Sequence, residues 1–177
     1  MTPADRVAGL IRDIPDFPKP GIVFKDVTPV FADPDGLRAA VDCVAGHVAG
    51  VGATHIVSAE ARGFVLGGAA ASAAGVGFVL GRKPGKLPRD TVAVEYDLEY
   101  GTDILEVHAD AFPAGARVLV HDDLLATGGT ASALCELVER AGAEVAGCSF
   151  LVELAFLNGR DRLAGRRVES LVSFDSE

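Results

Sequence analysis

Fifteen consecutive residues constrain this chain more than any other feature. Arg117-Val118-Leu119-Val120-His121 has the β-branched, apolar pattern of a buried strand, and Asp122-Asp123 follows it directly. Leu124-Leu125-Ala126-Thr127-Gly128-Gly129 is a small-residue loop, and Thr130 onward reads as a helix with Leu134, Leu137 and Val138 on its buried face. In an open parallel sheet, ligands sit beyond the carboxyl ends of strands, where this loop must lie. A helix start offers free N–H groups and the positive end of the helix dipole, both suited to a phosphate. Gly128 and Gly129 allow close backbone approach, and Thr127 and Thr130 add hydroxyl donors. Neither the lysine of GxxxxGK[ST] nor the spacing of GxGxxG is present. Two carboxylates beside a phosphate would repel it unless they accept hydrogen bonds from hydroxyls on the same ligand. A sugar 2′,3′-diol carrying a 5′-phosphate meets that demand; an Asp-rich turn capping a helix is the plainer alternative.

The rest of the chain supports an α/β fold. Apolar runs at His55–Ser58, Gly77–Leu80, Arg117–His121, Val145–Val152 and Val168–Phe174 read as strands, with helical stretches at 64–74 and 130–141 between them. Thr2 caps and Pro3 opens a first short helix, and Asp33-Pro34 opens a second with Leu37, Ala40, Val41, Val44 and Val48 buried. Between them, Ile14 to Gly21 holds three prolines and is expected to lack regular structure. The long interruption from Arg82 to Val107 contains Thr91–Val94 and Ile104–Val107, which can pair as an antiparallel hairpin. At 177 residues, with no repeat and no linker, one domain is expected.

Composition excludes several classes. With 25 acidic against 16 basic side chains the formal charge is −9, a poor match for nucleic acid or an anionic membrane. No apolar run approaches the roughly 18 residues of a membrane span, and Asp5 interrupts any leader-like stretch. Cys43, Cys135 and Cys148 are odd in number and widely spaced, as expected of buried thiols in a reducing cytoplasm. Neither they nor the four histidines show metal-ligand spacing, so no protein-built metal site is expected.

The 117–131 segment resembles the phosphoribosyl-diphosphate signature of the type I phosphoribosyltransferases: apolar strand, two acids, Thr/Gly-rich loop. Three further segments are similar to the adenine phosphoribosyltransferase branch. They are Ile14 to Asp26, Glu60-Ala61-Arg62-Gly63-Phe64, and Arg82-Lys83-Pro84-Gly85-Lys86-Leu87-Pro88 with Tyr96-Asp97-Leu98-Glu99-Tyr100-Gly101. The resemblance covers most of the chain in order and spacing. It implies one 1–177 domain with a twisted, mainly parallel sheet flanked by helices. A small hood is expected from about residues 1–34 plus the C-terminal segment, and a flexible lid hairpin at about 82–107. The implied reaction joins adenine to 5-phosphoribosyl 1-diphosphate, giving AMP and diphosphate through an oxocarbenium-like transition state. Mg2+ is the implied cofactor, held mainly by substrate oxygens and water. A cytoplasmic homodimer is implied as well.

By the same resemblance, Asp122 and Asp123 hold the ribose hydroxyls, and Ala126, Thr127, Gly128, Gly129 and Thr130 wrap the 5-phosphate. Arg62 and Lys86 stabilise the departing diphosphate, and Arg82 can reach a neighbouring subunit's site. Glu99 is the implied catalytic residue, managing the purine's imidazole proton as N9 attacks, and Tyr100 helps close the lid so that water does not capture the sugar cation. Val23, Phe24 and Lys25 lie where the family packs adenine and reads its edge from backbone groups; Leu125 and Leu157 supply the other wall. The Glu60–Arg62 turn resembles a family loop with a non-proline cis peptide. One position departs: His121, before the acidic pair, is usually apolar in the family and is expected to point into the sheet packing or a subunit contact.

All four lysines (Lys19, Lys25, Lys83, Lys86) fall in two of these loops, against twelve arginines spread along the chain. Arg82, Lys83, Lys86 and Arg89 put four cations into eight residues without an acid, either a solvated loop or a diphosphate clamp. Two other readings stay open: a transferase for a 6-oxo purine such as xanthine or guanine, and a non-catalytic phosphoribosyl-diphosphate-binding regulator.

Overall fold

The computed structural model describes residues 2–97 and 101–176. In chain order the elements are α1 (Pro3–Leu10), β1 (Arg12–Pro15), β2 (Val23–Asp26), α2 (Thr28–Ala32), α3 (Pro34–Val51), β3 (His55–Ala59), α4 (Gly63–Ala74) and β4 (Gly77–Gly81). There follow β5 (Thr91–Asp97), β6 (Thr102–His108), β7 (Arg117–Leu125), α5 (Gly129–Arg140), β8 (Glu144–Leu154) and β9 (Val168–Phe174), with 3-10 turns at Ala155–Leu157 and Gly159–Leu163. The central sheet runs β4-β3-β7-β8-β9 and every neighbouring pair in it is parallel. Among the described residues, no helix is long and apolar enough to cross a membrane.

Local chemistry explains the helix boundaries. Thr2 and Asp5 form a reciprocal capping box at α1, with Asp5 N–H donating to Thr2 Oγ1 at 3.1 Å and Thr2 N–H to Asp5 Oδ2 at 2.8 Å. Asp33 caps α3 by accepting from Gly36 N–H at 2.7 Å, with Pro34 in the first turn. Gly52 ends it in the left-handed region at φ 62°.

Each sheet face has its own core. On one side Ile56 and Leu119 pack with Val44 and Val48 of α3 and Ala70 and Ala71 of α4. On the other, Val57, Val118, Val120 and Phe150 pack with Leu134, Leu137 and Val138 of α5. This second core extends into the β5–β6 hairpin through Val94, Leu105 and Val107, all 2% exposed or less. The hairpin arms are therefore anchored to the core.

The secondary structure departs from the sequence-based expectations in three places. Ile14 and Pro15, assigned to an irregular stretch, form the end of β1, paired antiparallel with Phe24 and Val23. Pro15 is the last residue of a two-stranded ribbon, where a missing N–H breaks no ladder. The turn that follows holds Asp16 at φ 57° and Gly21 at φ 87°, with Gly21 N–H donating to Asp16 Oδ1 at 2.9 Å. Next, α2 was not anticipated; five residues are too few to show a helical period. Finally, β7 extends four residues past His121, because β8 continues alongside it and pairs Asp122 with Phe150 and Leu125 with Glu153. Cys135 and Cys148 are buried free thiols as expected, whereas Cys43 is only half-buried.

His121 points into the sheet packing, as one of its two expected placements. It is fully buried, and its Nδ1 donates to the Ser149 carbonyl at 3.0 Å while Nε2 has no partner among the described residues. Burial pushes its pKa down from the ordinary value to about 4. The unfolded chain binds this proton below about pH 6.5 and the folded chain does not, so the stability tied to His121 is present above that pH and is lost as pH falls toward 4. Each pH unit in that window removes up to about 1.4 kcal/mol. Replacing it with leucine should flatten the loss: urea unfolding at pH 7 and pH 4.5 should show a smaller fall in stability for His121→Leu than for the parent. Equal falls would mean that the imidazole does not titrate in this way.

Candidate active site

The carboxyl ends of β3 and β7, the start of α4 and the distal part of the hairpin enclose a cleft of about 410 Å3. Glu60, Arg62, Lys83, Tyr96, Asp103, Asp122, Asp123 and Thr130 are among its lining residues. A smaller hollow of about 80 Å3 adjoins it, lined by Asp122 and the 124–131 backbone segment, so that Asp122 and Thr130 belong to both. In the smaller hollow, Gly128 is the N-cap of α5 at φ 84°, a conformation that side chains rarely adopt. The first cap bond runs from Ser132 N–H to the Gly128 carbonyl at 2.9 Å, which leaves the preceding N–H groups aimed outward. A Cβ on Gly128 would collide with the Gly159 carbonyl, and one on Gly159 with the Ala126 carbonyl. The loop is thus clamped against the turn after β8, which also touches Leu125.

The acidic pair is not a surface turn: Asp123 is buried and Asp122 half-buried. Asp122 Oδ1 accepts from Asp123 N–H at 2.9 Å and lies beside Gly63 at the first turn of α4, where a Cβ would come within 2.7 Å of it. Burial first, and then the neighbouring Asp123 carboxylate, push the Asp122 carboxyl well above its ordinary value. Asp123 is 4% exposed and accepts from Arg62 Nε at 2.5 Å. Arg62 precedes α4, and the Glu60–Ala61 peptide just before it is cis, as the family likeness implied.

The basic 82–89 segment is not a freely solvated loop. Arg82 is tied by its backbone to β6, exchanging bonds with Glu106 at 2.9 and 2.8 Å, and its Nε lies 3.4 Å from Glu60 Oε1. Lys83 N–H donates to Glu60 Oε1 at 2.7 Å and its ammonium pairs with Asp103. Lys86 Nζ donates to Glu60 Oε2 at 2.6 Å, and Arg89 pairs at the surface with Asp110 at 3.0 Å. These bonds, that from Lys86 above all, hold the Glu60 carboxyl below its ordinary value.

On the other flank, Phe24 of β2 stacks edge-on with Phe17 at 5.1 Å, and the Arg62 guanidinium lies 5.6 Å from its ring centroid. Val23 is half-buried beside it. Lys25 is turned away: its ammonium pairs with Asp13 at 2.8 Å and sits 4.6 Å from the Phe174 ring centroid, so only its backbone is left for a ligand. Leu125 is buried at the end of β7 and Leu157 half-buried in the turn after β8. Glu99 and Tyr100 lie outside the described residues. Lys83, read in the sequence as part of a diphosphate clamp, lines the cleft, and so do Glu60, Tyr96 and Asp103, to which the sequence reading gave no role. Asp103 had a signal, since the hairpin register sets it opposite Tyr96, whose hydroxyl donates to Asp103 Oδ2 at 3.4 Å.

A family model described as a phosphoribosyl transferase domain matches residues 38–170. An adenine phosphoribosyltransferase of Rubrobacter xylanophilus is 59% identical over 165 residues, 93% of this chain and 89% of that protein. Among solved structures, the adenine phosphoribosyltransferase of Thermoanaerobacter pseudethanolicus superposes with a TM-score of 0.93 at 49% identity, covering 97% of this chain and 99% of that one. That of Saccharomyces cerevisiae, solved with adenine and an imino-altritol bisphosphate, gives 0.90 at 38% identity over 96% and 98%. With likeness of this order in both sequence and overall fold, the chain belongs to the adenine phosphoribosyltransferases, within the type I phosphoribosyltransferase fold.

Proposed function

We infer that the chain converts adenine and 5-phosphoribosyl 1-diphosphate into AMP and diphosphate. The observation that carries this reading is the joining of two hollows through Asp122 and Thr130. One suits a phosphate monoester on the α5 N–H groups, and the other lies among buried and half-buried carboxylates and cations. A ribose bridging them sets its 5-phosphate on Ala126 to Thr130, its hydroxyls on Asp122 and Asp123, and its diphosphate toward Arg62, Lys86 and Arg82. The carboxylate oxygens near the cleft are hard donors of the kind Mg2+ accepts alongside substrate oxygens and water. When bound, Mg2+ would neutralise charge on the diphosphate.

In this reading Phe24, with Val23 and the Lys25 backbone, forms one side of the base site, and Leu125 and Leu157 the other. Glu99 takes the imidazole proton as N9 attacks the anomeric carbon, and Tyr100 helps exclude water. The hood is assigned to about residues 1–34 with the C-terminal segment. The lid is assigned to the hairpin at about 82–107, in which Gly85 and Gly101 sit at φ 77° and 89°. A cytoplasmic setting, in keeping with three free thiols, belongs to the same proposal.

A base panel with 5-phosphoribosyl 1-diphosphate decides the reading. AMP should form from adenine in the presence of magnesium and stop on adding a chelator, with hypoxanthine, guanine and xanthine far slower. A faster 6-oxo purine overturns the base assignment, and no product from any base favours the regulator. Glu99→Gln should lower kcat by about 10²–10⁴-fold while leaving the affinity for 5-phosphoribosyl 1-diphosphate nearly unchanged; a parental rate removes Glu99 from the chemistry.

A homodimer is proposed on two exposed apolar side chains. Val65 on α4 is 45% exposed, and Leu80 on the sheet-edge strand β4 is 41% exposed. Sedimentation at micromolar concentration should give a dimer that Val65→Glu or Leu80→Glu shifts toward monomer. A parental monomer would overturn this assembly.

A further inference from the structure

Glu60 is an anion in a cleft assigned to an anion. Its side chain is 14% exposed and stands between the end of β3 and the start of α4. Oε2 holds the Lys86 ammonium at 2.6 Å, while Oε1 holds the Lys83 N–H at 2.7 Å with Arg82 Nε at 3.4 Å. Two cations and one backbone donor of the basic segment thus converge on a single carboxylate, which lines the same cleft as Arg62, Asp122 and Asp123. Left in place, a charged carboxylate repels an arriving diphosphate and competes with it for the same cations.

The geometry allows an exchange. The Lys86 side chain is 45% exposed, so it can swing away without unpacking a core. Glu60 retains the Lys83 N–H after Lys86 leaves, so its carboxylate is not stranded. Arg82, fixed by its backbone bonds to Glu106, stays where it is.

We propose that Glu60 is a built-in stand-in for the diphosphate: it holds Lys86 while the site is empty and yields that lysine to the ligand. The proposal rests on the transferase reading above and adds a positioning residue to it. Glu60 keeps Lys86 near the cleft between turnovers and, by competing for it, weakens diphosphate binding and so favours release of that product. No bond is made or broken in the exchange; one ion pair replaces another.

Calorimetric titration of the full chain with magnesium diphosphate, and separately with AMP, tests this. Glu60→Gln keeps an acceptor for the Lys83 N–H but no charge for Lys86. It should tighten diphosphate about three- to tenfold and leave AMP affinity within about twofold. Lys86→Ala should weaken diphosphate, and adding Glu60→Gln to it should recover clearly less than the glutamine gains with Lys86 present. Glu60→Asp, with its charge drawn back from Lys86, should tighten diphosphate by less than the glutamine. Unchanged or weaker diphosphate binding in Glu60→Gln or Glu60→Asp overturns the proposal, as does a full tightening that persists without Lys86. A parent chain that binds neither ligand overturns the transferase reading and this proposal together, whereas AMP binding without the Glu60 effect overturns the proposal alone.

Discussion

The site depends on the parallel pairing of β7 with β8 beyond the point where an apolar strand would be expected to stop. Asp122 and Asp123 are ladder residues, and the partner strand pairs Asp122 with Phe150 and Leu124 with Val152. Two adjacent carboxylates repel each other, and on a loose loop they would turn apart into water. The ladder removes that freedom. Asp122 is pressed against the first turn of α4 and Asp123 against Arg62, so both stay at the carboxyl edge of the sheet with the phosphate loop directly after them. The cost is desolvation, visible as the raised Asp122 carboxyl. Hydroxyl groups of a ligand are suited to offset that cost, because they donate to carboxylates without adding charge.

The loop after the pair is held from the opposite side. Gly128 leaves room for the Gly159 carbonyl and Gly159 for the Ala126 carbonyl, and any side chain at either place would collide with that backbone. The turn after β8 therefore buttresses a phosphate cradle that lies some thirty residues earlier in the chain. Close packing of this kind fixes N–H groups before a ligand arrives, so little ordering remains for the moment of binding.

Much of this was legible in the sequence, for identifiable reasons. The strand, acidic pair, loop and helix are contiguous, so their relation is local and survives reading along the chain. Proline and the capping residues Thr2 and Asp33 set helix starts through backbone chemistry that needs no tertiary context. What stayed hidden was tertiary. Lys25 reads as a candidate base-site residue, but its ammonium belongs to Asp13, which β1 brings to it across the ribbon. The basic segment reads as free charge because its counter-ions, Glu60, Asp103 and Asp110, each lie 20 or more residues from the cation they pair with. The length of β7 was hidden too, since the strand is prolonged by its neighbour and not by its own propensity.

The formal charge of −9 therefore misleads in two directions. Setting aside 82–89 leaves twelve basic against 25 acidic residues, which suggests that the positive segment alone answers a polyanionic substrate. Yet three of its four cations already face Glu60 or Asp103. The phosphate loop, for its part, carries no formal charge and acts through helix N–H groups and their dipole. Net attraction is not what such a site requires. A monophosphate can be bound by dipoles that no charge count includes. A diphosphate can be bound by cations kept in place by internal acids, provided that those acids surrender them more cheaply than water would replace them. An acidic protein can then hold a small polyanion in its cleft while the rest of its surface rejects large ones.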